Sequence, residues 1–130
     1  MDSEELKART KTFAVRVVKM TEALPPTRAA DMVARQLLRS ATSVAANYRA
    51  ACRARSHREF VAKIGVVTEE ADESLYWLEI LVEAEIVPEA RLKNLIQEAN
   101  ELTAIFTAPS HTARQNRDNP KITQSSINKS

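Results

Sequence analysis

The chain is predicted to be all-α: an antiparallel up-down-up-down four-helix bundle over residues 1–109, followed by a disordered polar tail over 110–130. Three observations predict this. Only one glycine occurs in 130 residues, whereas strands joined by tight hairpins draw on glycine at their turns. Apolar residues recur at helical spacing in four successive segments. The breaks between them are short and carry proline or capping residues, which makes successive helices antiparallel neighbours. At this length a single core needs no disulfide or metal to hold it.

The first helix is expected from about Ser3 to Ala23. Asp2 suits its N-cap, with Glu5 at the capping-box position. Leu6, Phe13, Val17 and Leu24, flanked by Ala14 and Met20, follow the helical period, and Leu24-Pro25-Pro26 stops it. The second helix opens behind Thr27 and continues to about Ala54. Steps of 100° put Val33, Leu37, Val44, Tyr48 and Ala51 on one face. Alanines at 41, 45, 46, 50, 51 and 54 favour helix and let neighbours approach.

The third helix has the clearest cap, Ser56-His57-Arg58-Glu59, in which serine and glutamate satisfy each other's backbone amides. Phe60, Ile64, Val67, Ala71, Leu75, Leu78 and Val82 form its core stripe. Gly65 falls inside it and costs up to about 1 kcal/mol relative to alanine; a close helix contact would compensate, and simple tolerance at the surface is the alternative. The fourth helix starts at Pro88, a residue suited to the first helical position. Leu92, Leu95, Ile96, Ala99, Leu102 and Phe106 make its face, and Pro109 ends it. The residues beyond have too few apolar groups to bury.

Composition narrows the function classes. Single Cys52 cannot form an internal disulfide, and within a helix it reads as a small core or boundary residue rather than a reactive thiol. No apolar run approaches the ~20 residues of a membrane span, and the acidic start Met1-Asp2-Ser3-Glu4-Glu5 is unlike a signal peptide. A soluble, cytoplasmic protein without membrane partner is therefore expected. The net charge of +2 conceals a split. Residues 1–58 carry 12 Lys/Arg against 5 Asp/Glu, residues 59–109 carry 3 against 11, and residues 110–130 carry 4 against 1. Such a split allows either mutual cancellation between helices of the bundle or a basic face for polyanions.

Three constellations stand out. Gln36, Ser40, Ser43 and Asn47 border the apolar face of the second helix at spacings of four, three and four. They read as a buried polar layer that fixes helix register, with Glu70 or another acid of the third helix as partner; a ligand or nucleic-acid contact line is the alternative. The acidic run Glu69-Glu70-Ala71-Asp72-Glu73, with Glu79 and Glu83, lacks the Glu-x-x-His companions of a di-metal bundle site, so no metal or cofactor is expected. Val66, Trp77 and Ile80, with Glu73 and Tyr76 close by, map well off the core stripe of the third helix. In a monomer the only Trp would stand largely in water, so these five residues are read as a subunit interface. The charge split suits a head-to-tail contact that closes as a ring.

The run Leu38-Arg39-Ser40-Ala41-Thr42-Ser43-Val44-Ala45-Ala46-Asn47-Tyr48, through Arg53-Ala54-Arg55-Ser56, resembles the second helix and turn of the bacterial four-helix bundle proteins, also called 23S rRNA intervening-sequence proteins. Glu59-Phe60 and the segment Ile64-Gly65-Val66-Val67-Thr68-Glu69-Glu70 through Glu79 resemble that family's third helix. The resemblance covers about residues 5–108. Many relatives carry an Ile-Ala-Glu-Gly-like segment after the asparagine, where this chain has Tyr48-Arg49-Ala50-Ala51. The resemblance implies an up-down bundle and a ring-shaped homopentamer. One branch of the family consists of basic pentamers that bind nucleic acid and a reverse transcriptase, and this chain lacks their strong positive charge.

Two functions follow as expectations. The first is a non-enzymatic, ring-like oligomer, pentameric by the family resemblance, that acts as an interaction scaffold. The second is an RNA- or DNA-binding accessory protein that uses Arg49, Arg53, Arg55, Arg58 and Lys63 around the second turn. No nucleophile, base or metal constellation has usable spacing, so neither an enzyme nor a small-molecule substrate is expected.

Overall fold

The capping residues set where the helices begin. Asp2 Oδ1 accepts the Glu5 amide at 2.8 Å, Thr27 Oγ1 the Ala30 amide at 3.2 Å, and Ser56 Oγ the Glu59 amide at 3.1 Å. Each satisfies an amide that the first helical turn leaves without a partner. In the computed structural model, which describes residues 1–108, the helices are α1 (Ser3–Glu22), α2 (Arg28–Cys52), α3 (His57–Glu83) and α4 (Glu89–Thr107). The tail expected to be disordered lies outside the described residues.

Two caps differ from expectation. Glu59 does not return to the Ser56 amide; its Oε2 accepts the Arg55 amide at 3.3 Å, one residue earlier. Pro88 precedes α4 as its N-cap rather than forming its first residue, and it supplies no side-chain cap. A third terminus gave no sequence signal. Past the end of α3, Glu85 takes a left-handed conformation, φ 60°, while the Ile86 and Val87 amides return to the Leu81 carbonyl at 2.9 and 3.1 Å. That geometry usually recruits glycine.

Helix α2 packs on α1 and α3, and α4 packs on α3 and, more sparsely, on α1. This cyclic order is what the expected up-down-up-down arrangement produces, and it sets α1 and α3 across the diagonal from each other. Between the helices lies one apolar core, with Phe13, Leu37, Tyr48, Leu78, Leu92 and Leu102 among its fully buried members. The stripes expected on α2 are buried as read. On α3, however, Leu75 and Val82 are only half-buried while Ser74 and Leu81 are buried. Because α3 is flanked by both α2 and α4, its covered arc is rotated toward those neighbours. Met20, Leu24 and Ile96 likewise sit at the core's edge.

Thr10 is buried without a distant partner, because its hydroxyl donates to the Leu6 carbonyl of its own helix at 2.8 Å. At Gly65 the alternative of tolerance at the surface fits better than a close helix contact. A Cβ placed there meets nothing within 4 Å, so no close contact inside the chain requires glycine. None of the described helices is long and apolar enough to cross a membrane.

Candidate functional site

With α2 and α4 covering its flanks, α3 presents a line of exposed residues at alternating three- and four-residue steps: Gly65, Glu69, Asp72, Tyr76, Glu79 and Glu83. Five residues were expected to form an interface on this side. Val66 and Tyr76 are 39% and 52% exposed. Glu73, Trp77 and Ile80 are half-buried, with Trp77 and Ile80 packed on the rim of the core. The expectation that Trp77 would stand largely in water is therefore corrected. Its Nε1–H donates to Glu73 Oε2 at 3.2 Å, and the Tyr76 ring meets it edge-on, centroids 4.9 Å apart at 75°.

Glu73 also accepts a hydrogen bond from Arg39 of α2, whose guanidinium reaches Glu70 at 3.1 Å as well. These carboxylates, Glu73 foremost, raise the Arg39 pKa above its ordinary value. One carboxylate thus ties the Tyr76–Trp77 pair to the neighbouring helix.

The polar stripe of α2 is less buried than expected. Ser40 is fully buried, while Gln36, Ser43 and Asn47 are half-buried. Nor is its partner an acid, since Glu70 is engaged by Arg39. Ser74 Oγ lies 2.9 Å from Ser40 Oγ and equally 2.9 Å from the Glu70 carbonyl of its own helix. A hydroxyl carries one proton, so it donates to one acceptor or the other. Ser40 in turn donates to the Leu37 carbonyl at 3.2 Å, and Asn47 Nδ2 to the Ser43 carbonyl at 2.9 Å. Ser40 and Asn47 thus find acceptors within α2 itself.

At the turn between α2 and α3, Arg49, Arg53, Arg55 and Arg58 are exposed and Lys63 is half-buried. Arg49 and Arg53 share a face one turn apart. Lys63 lies about 140° round α3 from Arg58, so it borders the group rather than extending it. Among the described residues, the ion pairs engage Lys7, Arg9, Arg35 and Arg39 instead.

The sequence profile of the family described as 23S rRNA-intervening sequence protein matches residues 4–108. The chain belongs to this family. A crystal structure agrees: a protein of unknown function from the S23 ribosomal protein family of Bacteroides thetaiotaomicron superposes with a TM-score of 0.76 at 30% identity. The match covers 82% of this chain and 96% of that one. No curated protein matches.

In 23S rRNA-intervening sequence terms, the resembling segments fall on α2 and α3, the most extensively packed helix pair of the bundle. Three groups were not singled out from sequence. Ser74 is a polar residue at a core position. Arg9 crosses from α1 to α4, bonding both Glu98 oxygens at 2.7 Å and Glu101 at 2.7 Å. Tyr48 packs its ring on Phe106 at 5.2 Å. Burial foremost pushes both the Tyr48 hydroxyl and the Cys52 thiol above their ordinary pKa values, the opposite of what an activated thiol needs. Among the described residues, no group of three or more His, Cys, Asp or Glu side chains could hold a metal ion.

Proposed function

We propose that this chain is a non-enzymatic bundle that works as a homo-oligomer, ring-like and of five subunits as the family resemblance implies, and serves as an interaction scaffold. The observation that supports this reading is the outward side of α3. There Val66 and Tyr76 stay exposed and Trp77 and Ile80 half-buried, apolar groups set among carboxylates on a helix whose core face is already filled. Several apolar groups gathered on one side gain by a contact that a scattered few do not need.

Light scattering and native mass spectrometry across a hundredfold dilution test the proposal. The expected result is one dominant multimer that dissociates only at low concentration. A monomer at every concentration refutes it.

A second reading has its own support. Arg49, Arg53, Arg55 and Arg58 gather cations outside the ion pairs of the bundle, with Lys63 at their border, which suits RNA or DNA phosphates. On this reading affinity for a generic RNA falls steeply with salt, at about 0.7 logarithmic units per decade for each phosphate contacted on a single strand. Absence of binding even at low salt removes it.

A further inference from the structure

The exposed tyrosine on the outward side of α3 has a counterpart elsewhere on the same chain. Helix α1 turns an outward face to solvent on which Val15 and Val18 are 44% and 39% exposed. Beside them a shallow groove of about 460 Å³ is lined by Ala8, Lys11, Thr12, Val15, Arg16 and Lys19. Its apolar floor is Ala8 and Val15, and its cationic ends are Lys11 and Lys19, both exposed. On α3, Tyr76 stands at the centre of the outward line, with Asp72 one turn before it and Glu79 one turn after.

The two faces match in sign and in length. Lys11 and Lys19 are eight residues apart, about 12 Å along a helix, and Asp72 and Glu79 are seven apart, about 10.5 Å. Each pair brackets an apolar centre, Val15 in one case and Tyr76 in the other. None of these four charged side chains belongs to an ion pair of the described residues. Since α1 and α3 lie across the diagonal of the bundle, one chain cannot bring its own faces together. A second copy can.

We infer that the occupant of the α1 groove is Tyr76 of a second copy of this chain, with Lys11 and Lys19 meeting the second copy's carboxylates at positions 72 and 79. The inference rests on the proposed homo-oligomer and names which surfaces make it. Because each copy offers two different faces, the contact is heterologous and propagates around a ring or along a filament. The tyrosine ring supplies amphipathic area at low entropic cost, lysines over its face add cation–π attraction, and the opposed charges set orientation.

Charge reversal tests the inference on the full chain. All four charged positions are exposed, so the variants are expected to keep wild-type helicity by circular dichroism. Lys11→Glu with Lys19→Glu, or Asp72→Lys with Glu79→Lys, is expected to raise the dissociation constant of the assembly more than about tenfold. All four substitutions together are expected to restore most of it. In a Cys52→Ser background, Val15→Cys and Tyr76→Cys placed on separately tagged chains are expected to form a disulfide between chains. Wild-type protein that never assembles refutes the oligomer itself. Wild-type protein that assembles while the reversals leave its dissociation constant unchanged, and no cross-link forms, overturns this inference and leaves the oligomer standing.

Discussion

Replacing Arg9 by methionine probes the seam that orients the α1 face. Arg9 joins α1 to α4 where the two helices are most sparsely packed, and its side chain and that of Glu98 are only 23% and 16% exposed. Two unit charges about 4 Å apart attract by roughly 4 kcal/mol at the effective dielectric of such a site. Desolvation and the ordering of two long side chains cancel about half of that. An exposed pair would leave less than about 1 kcal/mol, whereas this forked, partly buried one should leave a coupling of about 1.5–2.5 kcal/mol. Arg9→Met alone should cost about 2–3 kcal/mol, because it also strands the Glu98 carboxylate. For a domain of this size that is a fall in Tm of about 6–12 °C.

The assay is a double-mutant cycle of Arg9→Met and Glu98→Gln. Urea melts are followed by circular dichroism at pH 7 and one protein concentration, since assembly shifts apparent stability. Arg9→Lys should retain less than half of the coupling, as an ammonium cannot reproduce the fork. A coupling below about 0.5 kcal/mol would refute the reasoning and return the pair to the class of surface decorations.

Three other outcomes are expected. The Tyr48 hydroxyl is raised in the folded chain, mainly by burial and secondarily by Cys52, so its contribution is complete below about pH 10, where an unfolded tyrosine ionises. Above that it falls by up to about 1.4 kcal/mol per pH unit; urea melts at pH 8 and 11 should show this extra slope in wild type and not in Tyr48→Phe. Glu85→Gly should stabilise the fold by about 0.5–1 kcal/mol, because glycine adopts φ 60° without the steric cost that glutamate bears; a loss of stability would mean that the Glu85 side chain is needed. Gly65→Ala should gain up to about 1 kcal/mol in thermal or urea melts, since its new methyl enters open space, and a destabilised monomer would contradict that.

What was legible in the sequence was local. Asp2, Thr27 and Ser56 announced three helix starts because capping acts over three residues, and Leu24-Pro25-Pro26 announced a stop for the same reason. The burial pattern of α2 was legible because its hydrophobic contrast is strong. On α3 it was blurred, because hydrophobicity alone favours Leu75 over Ser74, whereas burial there follows the flanking helices. A buried serine that opposes another serine leaves no mark in either segment alone. The Arg9–Glu98 link spans 89 positions and is invisible to any periodicity. Glu85 is hidden for a different reason: the residue that usually marks a left-handed turn is absent.

For the candidate surfaces, the sequence set Val66 and Tyr76 off the core stripe, and both are exposed; it overestimated the exposure of Trp77, which finds cover on its own chain. It also grouped Lys63 with arginines from which the helix turns it away. The α1 groove went unseen because Val15 and Val18 fall outside the stripe that defines the α1 core, where a wheel treats them as noise.

The sparse meeting of α1 with α4 also bears on how the bundle breathes. A helix held closely by one neighbour and by an arginine clasp on the other side opens at less free energy than the α2–α3 pair. In deuterium exchange, the amides of α1 and α4 should therefore lose protection before those of α2 and α3. The helix that carries the groove is thus among the more readily released parts of the molecule, and a copy docked on it would slow its exchange.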